Sequence, residues 1–405
     1  MTTGASQGMD AAQRNNVAKL LFESGNAELQ AGRTTQALNY YKQSLGLNPQ
    51  NANTFNNIGI TQVRLNNLNG ALESFSNAYL ISPDDPGIVN NLTSTLIKAG
   101  RFKTAAELAT KPNSSVLYPI AVTALRSYLA SNAALQEPAI QNLLAQYDKL
   151  IEELSLSPEV AEKHLCLFAN FKHPENNWRE IAISRLGDED FPKWVTISGL
   201  EPIIDRQAAG KGAILLSSHT TSGHATLVAL LRQELKVNSI EYNNRFRSLP
   251  IPGIERVNFL EVGNKEKFAL REVYLAQQAL QRGEILHLTG DGFQGNSEFQ
   301  HLFLGKLRAF RTGFADLSLI TNTPIFPVFC TTTLEGKIHI EILPALTQPN
   351  EQLPRETRIA KLLGQYVTLL ETYWKTKPGN ISWRHIKKHL DSEASMPDSH
   401  TGSAQ

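Results

Sequence analysis

The chain is poor in cysteine, carries almost no net charge and has no long apolar run. Its two cysteines, Cys166 and Cys330, lie far apart in apolar surroundings, which favours reduced core thiols over a disulfide framework. The 39 basic and 38 acidic residues nearly cancel, which excludes a global field that recruits nucleic acid or an anionic membrane. No segment reaches the roughly 18 apolar residues of a membrane span, and the N-terminus has no signal-peptide core. These absences predict a cytoplasmic protein with no nucleic-acid partner. Any membrane contact would have to be peripheral.

Size and apolar content predict an ordinary multidomain globular protein. The 405 residues suffice for two or three domains, and a hydrophobic fraction of 41% is enough for their cores. No G-x-S-x-G segment joins a predicted strand to a predicted helix, and no activated cysteine is evident. This disfavours an ester or thioester hydrolase.

A 34-residue period marks the N-terminal region. It places small and aromatic residues in register, namely Gly25 with Gly59, Ala37 with Ala71, Tyr41 with Phe75, Ser44 with Ala78 and Pro49 with Pro83. This pattern resembles the tetratricopeptide repeat, in which small residues let paired helices approach and an aromatic ring fills the gap between them. A degraded third copy starts at Pro86. We expect tetratricopeptide-like repeats over residues 14–112.

The rest of the chain predicts three further regions. Residues 113–172 keep a helical pattern, and we expect a helical extension or cap of the solenoid, with an apolar stripe from Leu143 to Leu154. Residues 173–390 alternate short β-rich runs with helices, which predicts an α/β domain with a mixed, mostly parallel sheet. Residues 391–405 are poor in apolar side chains and are expected to be a disordered tail. The fold class is therefore an all-α solenoid followed by an α/β domain.

The elements of the α/β domain follow from apolar runs and turn residues. Strands are predicted at Trp194–Ser198, Ala213–Ser217, Ser239–Tyr242, Asn258–Glu261, Glu284–Leu288, Ile325–Thr331 and Lys337–Leu343. The last two flank a hairpin signal at Leu334-Glu335-Gly336. Helices are predicted at Gly223–Leu235, Lys265–Gln281, Gly313–Thr321 and Arg355–Trp374.

His219 follows the predicted strand at Ala213–Ser217, and Asp291 follows the one at Glu284–Leu288. Ligands and catalytic groups collect at the carboxyl ends of parallel strands, so these two side chains can meet. A histidine with a pKa near 6.5 can take and return a proton, and a carboxylate fixes its tautomer. The alternatives are a strand-end histidine satisfied by its neighbours and an aspartate that caps the turn with Gly292.

Two basic segments suggest phosphate recognition. The segment Phe303–Gly313 carries Lys306, Arg308, Arg311 and two glycines ahead of a predicted helix whose N-terminus could bind an anion, which favours a phosphate-bearing substrate. A second basic group, Asn243–Arg247, follows another predicted strand. The alternative for both is a solvated basic loop.

The order of these blocks resembles the bacterial lysophospholipid acyltransferase superfamily, and within it the lipid A lauroyl and myristoyl acyltransferases. The similarity covers about Trp194 to Lys388, roughly half of the chain. It rests on these ordered blocks: Gly212–His219, Asn244–Arg247, Gly290–Gly292, Phe303–Gly305, Thr312–Gly313, Pro324–Val328, Pro378 and Trp383–His385.

The resemblance implies transfer of a fatty acyl group from an acyl-carrier-protein or coenzyme A thioester to a hydroxyl, or an amine, of a lipid-like acceptor. The histidine of the family's H-x4-(D/E) motif maps onto His219 as general base, and neither a metal nor a cofactor beyond the thioester co-substrate is needed. Backbone N–H groups near Ser222 and Gly223 would stabilise an oxyanion. Basic residues near the mouth of the site would hold a phosphate of the donor's pantetheine arm or of the acceptor, which gives roles to Arg245, Arg247, Arg308 and Arg311. The other predicted substrate-binding residues are Asn244, Gly292 and Thr312.

The chain departs from the family's pattern in two places. Where the family has an acid five positions after its histidine, this chain has His224, which brings no negative charge to His219. We therefore expect Asp291 to pair with His219 and His224 to line the acceptor pocket. Repeats also stand where the family's membrane enzymes carry an apolar helix. We expect them to dock a protein partner, including one at the inner membrane; the alternative is that they pack within the chain. A non-catalytic adaptor that binds lipid or acyl chains remains the alternative function.

Overall fold

The computed structural model describes residues 9–111, 114–171, 177–220, 223–241, 246–261, 270–291 and 298–392. The chain divides into two compact units, Met1–Ala134 and Leu135–Gln405. The predicted extension, residues 113–172, is divided between them. All but the first two residues of the predicted tail, 391–405, lie outside the described residues.

The first unit is a stack of antiparallel helix pairs, as the 34-residue period predicts. Each repeat contributes two helices, and a further helix follows the third pair. Their bounds are α1 (Ala11–Gln30), α2 (Thr34–Leu47), α3 (Ala52–Arg64), α4 (Leu68–Ile81), α5 (Pro86–Lys98), α6 (Phe102–Ala109) and α7 (Tyr118–Leu129), and a short helix α8 (Asn132–Leu135) lies at the division between the units.

The packing of each pair explains the residues that repeat in the sequence. A Cβ placed on Gly25 would lie 2.5 Å from the Tyr41 ring, and one on Gly59 would lie 2.6 Å from the Phe75 ring. Both rings are buried. The helices of a pair therefore approach as closely as they do because the glycines leave room for the aromatic rings.

This contact predicts the effect of adding a single methyl group. We expect Gly59→Ala to lower the free energy of unfolding of the repeat unit by about 1–3 kcal/mol, because the buried Phe75 ring has nowhere to move. Gly46→Ala is the matched control, since no atom lies within 4 Å of its Cβ position and alanine favours α2 by about 1 kcal/mol. Urea unfolding followed by circular dichroism measures both. Equal stability of the two variants would contradict this packing.

The second unit is an α/β domain. Its helices are α9 (Pro138–Glu153), α10 (Val160–Asn170), α11 (Trp178–Ser184), α12 (Phe191–Trp194), α13 (Glu201–Ala208), α14 (Ala225–Arg232), α15 (Leu270–Gln281), α16 (Gly313–Thr321), α17 (Arg355–Thr376) and α18 (Trp383–Leu390). Short 3₁₀ turns occupy Phe246–Ser248, Ile254–Arg256 and Pro378–Asn380. The stripe from Leu143 to Leu154, predicted to cap the solenoid, lies on and just after α9 and instead packs into the core of this second unit, with Tyr147 and Leu150 fully buried.

The strands confirm a mixed, mostly parallel sheet. Their bounds are β1 (Val195–Ser198), β2 (Ala213–Ser217), β3 (Val237–Glu241), β4 (Asn258–Glu261), β5 (Ile285–Thr289), β6 (Glu298–Phe303), β7 (Lys306–Arg311), β8 (Ile325–Thr332) and β9 (Ile338–Ile342). The main sheet has the order β1-β9-β8-β2-β5-β3-β4. Among its described strands, β8 and β9 pair antiparallel through the predicted hairpin, and the other neighbours pair parallel. The β2 strand is buried at every position, as expected of a central parallel strand.

The alternative of a solvated basic loop at Phe303–Gly313 is wrong. The segment is the second half of a two-stranded antiparallel hairpin, β6–β7, whose turn at Leu304-Gly305 has positive φ at both residues. Alternation places Lys306, Arg308 and Phe310 on one face of β7. This face is the buried one, so the cations point inward and the apolar Leu307 is exposed. Sequence reasoning assumed the opposite orientation for charged residues.

Among the residues that the structure describes, none of the helices has the length and apolar character needed to span a membrane.

Candidate active site

The register of β2 and β5 brings His219 and Asp291 together. The two strands run parallel with Ser217 beside Thr289, and the Gly290 N–H continues the ladder by donating to the Ser217 carbonyl at 2.8 Å. His219 and Asp291 each stand two residues beyond this aligned pair. The proximity predicted from the strand order is therefore present in the structure, and it is fixed by main-chain hydrogen bonds.

The Asp291 carboxylate binds both the imidazole and the main-chain N–H of His219. His219 Nδ1 lies 2.7 Å from Asp291 Oδ1, and the His219 main-chain N–H lies 3.0 Å from each carboxylate oxygen. Because a carboxylate can only accept, Nδ1 carries the proton and Nε2 is left with its lone pair. The aspartate is 2% exposed, whereas the histidine side chain is 38% exposed. The imidazole is therefore accessible from solvent, whereas the carboxylate that binds it is not.

The surroundings keep Asp291 ionised. Burial by itself would raise the pKa of this carboxyl, but His219, His385 and Arg308 together hold the pKa below its usual value of 3.8. Arg308 reaches the same residue from β7, where its Nη2 donates to the Asp291 carbonyl at 2.9 Å. The guanidinium also lies over the rings of Phe303 and Phe310, at 5.2 and 4.9 Å. Arg308 therefore supports the site from inside the fold.

His385, on α18, lies against one face of the His219 ring. Its ring stacks on that of His219, with centroids 4.4 Å apart and 21° between the planes. It is 2% exposed, and burial lowers its pKa well below the ordinary value, so the ring is neutral near pH 7. Ligand atoms of His219, Asp291 and His385 lie within 4.8 Å of one another, close enough to suggest a metal site. The two imidazole rings are nearly parallel, however, so their in-plane lone pairs do not point at one position. The Arg308 cation also lies beside Asp291, so these three side chains are better suited to hold a proton than a metal ion.

His224 does not replace the missing acid. It precedes α14, and its ring stacks on Phe246 with centroids 4.9 Å apart. Burial lowers the pKa of His224 to about 4, and the proximity of His219 adds to this effect, so the imidazole is neutral at pH 7. Asp291 supplies the charge that the family pattern would place at this position. The role of His224 in an acceptor pocket stays a prediction.

The structure describes part of the remaining set of predicted binding residues. The Gly223 N–H donates to the Thr220 carbonyl at 3.3 Å, a bond that an oxyanion would have to displace. Arg247 is exposed on the turn that carries Phe246. Arg311 ends β7 half-buried, and Thr312 is buried with its hydroxyl 3.4 Å from an Asp316 oxygen. The remaining predicted residues lie outside the described part of the chain: Ser222, Asn244, Arg245 and Gly292.

Sequence reasoning missed two residues that build the site. His385 was noticed within the shared block Trp383–His385 but given no role. Tyr366 on α17 donates to the Ser217 carbonyl at 3.2 Å, and a Cβ on Gly290 would lie 2.7 Å from its ring. No local pattern could identify Tyr366, because it comes from a helix about 150 residues beyond β2 and reaches the strand end only in the fold.

Two family models match the chain. Residues 159–375 match the bacterial lipid A biosynthesis acyltransferase model, and residues 25–66 match a TPR repeat. The first match covers more than half of the sequence. The chain belongs to the bacterial lipid A biosynthesis acyltransferase family. His219 and Asp291 fall within the matched region, and so do Arg308 and Tyr366, whereas His385 lies beyond it.

Solved structures show local similarity to this family member. An Arabidopsis OM64 TPR domain is 22% identical over 23% of this chain and 77% of that one, with a TM-score of 0.23. The Yersinia enterocolitica type III secretion chaperone SycD, in complex with a YopD peptide, is 14% identical over 34% and 91%, with a TM-score of 0.23. PilF of Pseudomonas aeruginosa is 18% identical over 43% and 79%, with a TM-score of 0.25. At these TM-scores the likenesses support no conclusion about function.

No curated protein matches the chain.

Two buried histidines should make the stability of this acyltransferase-family domain depend on pH. His224 is held neutral with a pKa of about 4, and His287, buried between Ser217 and Ser239, with a pKa of about 3. Both bind a proton more readily in the unfolded chain, so unfolding is favoured as the pH falls below about 6.5. We expect each to contribute a loss of up to about 1.4 kcal/mol per pH unit in this range.

Urea unfolding at several pH values between 7 and 4.5 measures this effect. His224→Asn should flatten the pH dependence relative to the wild type, because asparagine does not titrate. His164→Asn, at an exposed position on α10, should leave it unchanged. An identical slope in the wild type and His224→Asn would show that this histidine is not held neutral.

Proposed function

We propose that the protein transfers a fatty acyl group from an acyl-carrier-protein or coenzyme A thioester to a hydroxyl or amine of a lipid-like acceptor, with His219 as general base. The observation that carries the proposal is the 2.7 Å contact between His219 Nδ1 and a buried Asp291 oxygen. It supports the proposal because it lies at the carboxyl edge of the sheet, in a domain of an acyltransferase family.

The geometry indicates how the reaction would proceed. His219 Nε2 takes the proton of the acceptor hydroxyl as its oxygen attacks the thioester carbonyl, and Asp291 stabilises the imidazolium that forms. The tetrahedral adduct then collapses, the carbon–sulfur bond breaks, and the imidazolium returns its proton to the leaving thiolate. The base is regenerated, and no covalent enzyme intermediate is required.

The cations divide into two roles in this proposal. Arg308 binds the Asp291 carbonyl and two aromatic rings, so it serves the charge balance of the site. Arg247 is exposed next to the residue that stacks on His224, and it is the better placed of the two to bind a phosphate of the donor or acceptor.

Substitution of the pair tests the proposal. Purified wild type is assayed with acyl-carrier-protein and coenzyme A thioesters over a panel of glycolipid, lysophospholipid and amine acceptors. We expect His219→Ala to abolish transfer and Asp291→Asn to lower kcat about 10²- to 10⁴-fold, because the neutral amide no longer stabilises the imidazolium.

His164→Ala is the matched control, since this histidine is exposed on α10, and circular dichroism verifies that each variant folds. Transfer that persists in a folded His219→Ala variant would refute the proposed base. A wild type that transfers no acyl group to any acceptor would refute the proposed activity.

The repeat match favours a second candidate function, a non-catalytic adaptor in which the repeats recruit a protein and the second unit binds lipid or acyl chains. Complementation of a deletion strain separates the two. Full rescue by His219→Ala supports the adaptor, and rescue by the wild type alone supports catalysis.

A further inference from the structure

The ring of His385 is the surface against which the His219 imidazole rests. The two rings are stacked at 4.4 Å, while Asp291 binds the edge of the His219 ring that carries Nδ1. The carboxylate fixes one edge of the imidazole, and the stacked ring covers one face. Together they leave the ring little freedom to turn about its χ2 bond.

The segment that carries His385 is anchored on three sides. Asn170 of α10 donates to the Ile381 carbonyl at 3.1 Å and accepts from the Trp383 N–H at 2.7 Å. Asn380 accepts from the Thr332 N–H at 2.6 Å and donates to its carbonyl at 3.2 Å.

The third anchor joins the segment to the strand end of the base itself. Ile381 forms an isolated antiparallel bridge with Thr220, the residue that follows His219. The backbones that carry the two rings are therefore bound to each other directly. His385 is thus held by the main chain and does not depend on the stacking contact for its position.

We propose that His385 is a positioning residue, which holds the His219 ring so that Nδ1 stays on Asp291 and Nε2 stays free to accept the substrate proton. The inference rests on the proposed acyl transfer, because it assigns His385 to the same base. It extends that proposal by predicting that His385 acts through His219 and does not touch the substrate.

The stacking partner also has the right charge state for this role. His219 becomes a cation when it accepts the proton, and a positively charged neighbour stacked on its face would oppose that step. His385 is neutral because it is buried. Two charged groups lie near His385. Asp291 favours the imidazolium form of His219, and Arg308 is bound to the Asp291 carbonyl.

Two variants separate the stacked face from the other properties of His385. His385→Phe keeps a planar ring and removes the nitrogens, whereas His385→Leu fills the space without a planar face. His389→Phe is the matched control, because this histidine is equally buried one turn further along α18 and contacts Glu153, Phe303 and Trp374 instead.

The first measurement does not depend on activity. Long-range ¹H–¹⁵N NMR of histidine-labelled full-length protein reports the tautomer of His219, with its signal assigned from a His219→Gln variant. We expect Nδ1–H in the wild type, in His385→Phe and in His389→Phe. A mixture of both tautomers is expected in His385→Leu.

The second measurement is the kinetics of acyl transfer. We expect His385→Leu to lower kcat about 10- to 100-fold with KM within about twofold, and His385→Phe to retain most of kcat, because the partners that orient a reacting group typically have effects of this size. Should the leucine variant not fold, His385→Gln, which also lacks a ring, replaces it.

An unchanged His219 tautomer and an unchanged kcat in the folded variant without a ring would overturn the inference. A fall in kcat that His385→Phe shares in full would also overturn it, because the stacked face would then not be the cause. If the wild type transfers no acyl group, the proposed function fails, while the tautomer still decides whether His385 positions His219.

Discussion

One carboxylate without access to water constrains the whole second unit. Asp291 is ionised and 2% exposed, and a buried charge is tolerated only when it is paired and hydrogen-bonded. Its partners come from three separate parts of the chain: the loop after β2, the strand β7 and the helix α18. The main-chain N–H of His219 binds both oxygens, the imidazole binds one of them, and Arg308 binds the carbonyl. The His219 backbone and ring are thus both held by this one anion.

The β6–β7 hairpin also buries charged side chains, and each of them needs a partner. Its inner face carries cations and its outer face carries leucines, with Lys306 9% exposed and Leu307 47% exposed. Lys306 lies 3.0 Å from Glu153 and 2.8 Å from the His389 carbonyl, so α9, α18 and the hairpin meet at one charge cluster. Arg308 is the neighbouring inward cation. Each buried cation has a partner on another element, which offsets its desolvation and fixes where the hairpin packs.

The parts of the fold that depend on short-range patterns were predictable. The repeat period identified the helix pairs because the same glycine–aromatic contact recurs every 34 residues, at Gly25 with Tyr41 and Gly59 with Phe75. Buried strands are largely apolar runs, so β2, β5 and β8 were predicted to within one residue. The hairpin β6–β7 was missed for a physical reason: its polar and apolar residues alternate, but the polar ones face inward, against partners that are distant in sequence.

The amino-acid sequence specified the helix pairs, the parallel strands and the order in which His219 and Asp291 leave their strands, because backbone propensity and apolar periodicity act over a few residues. The pairing of His219 with Asp291 could also be expected from the sequence, but the fold alone turned Arg308 inward and placed His385 on the face of His219. Those choices depend on which side chains from α17, α18 and β7 converge on one strand edge. Convergence is decided by packing and by the cost of burying charge, and neither is expressed in any local run of residues.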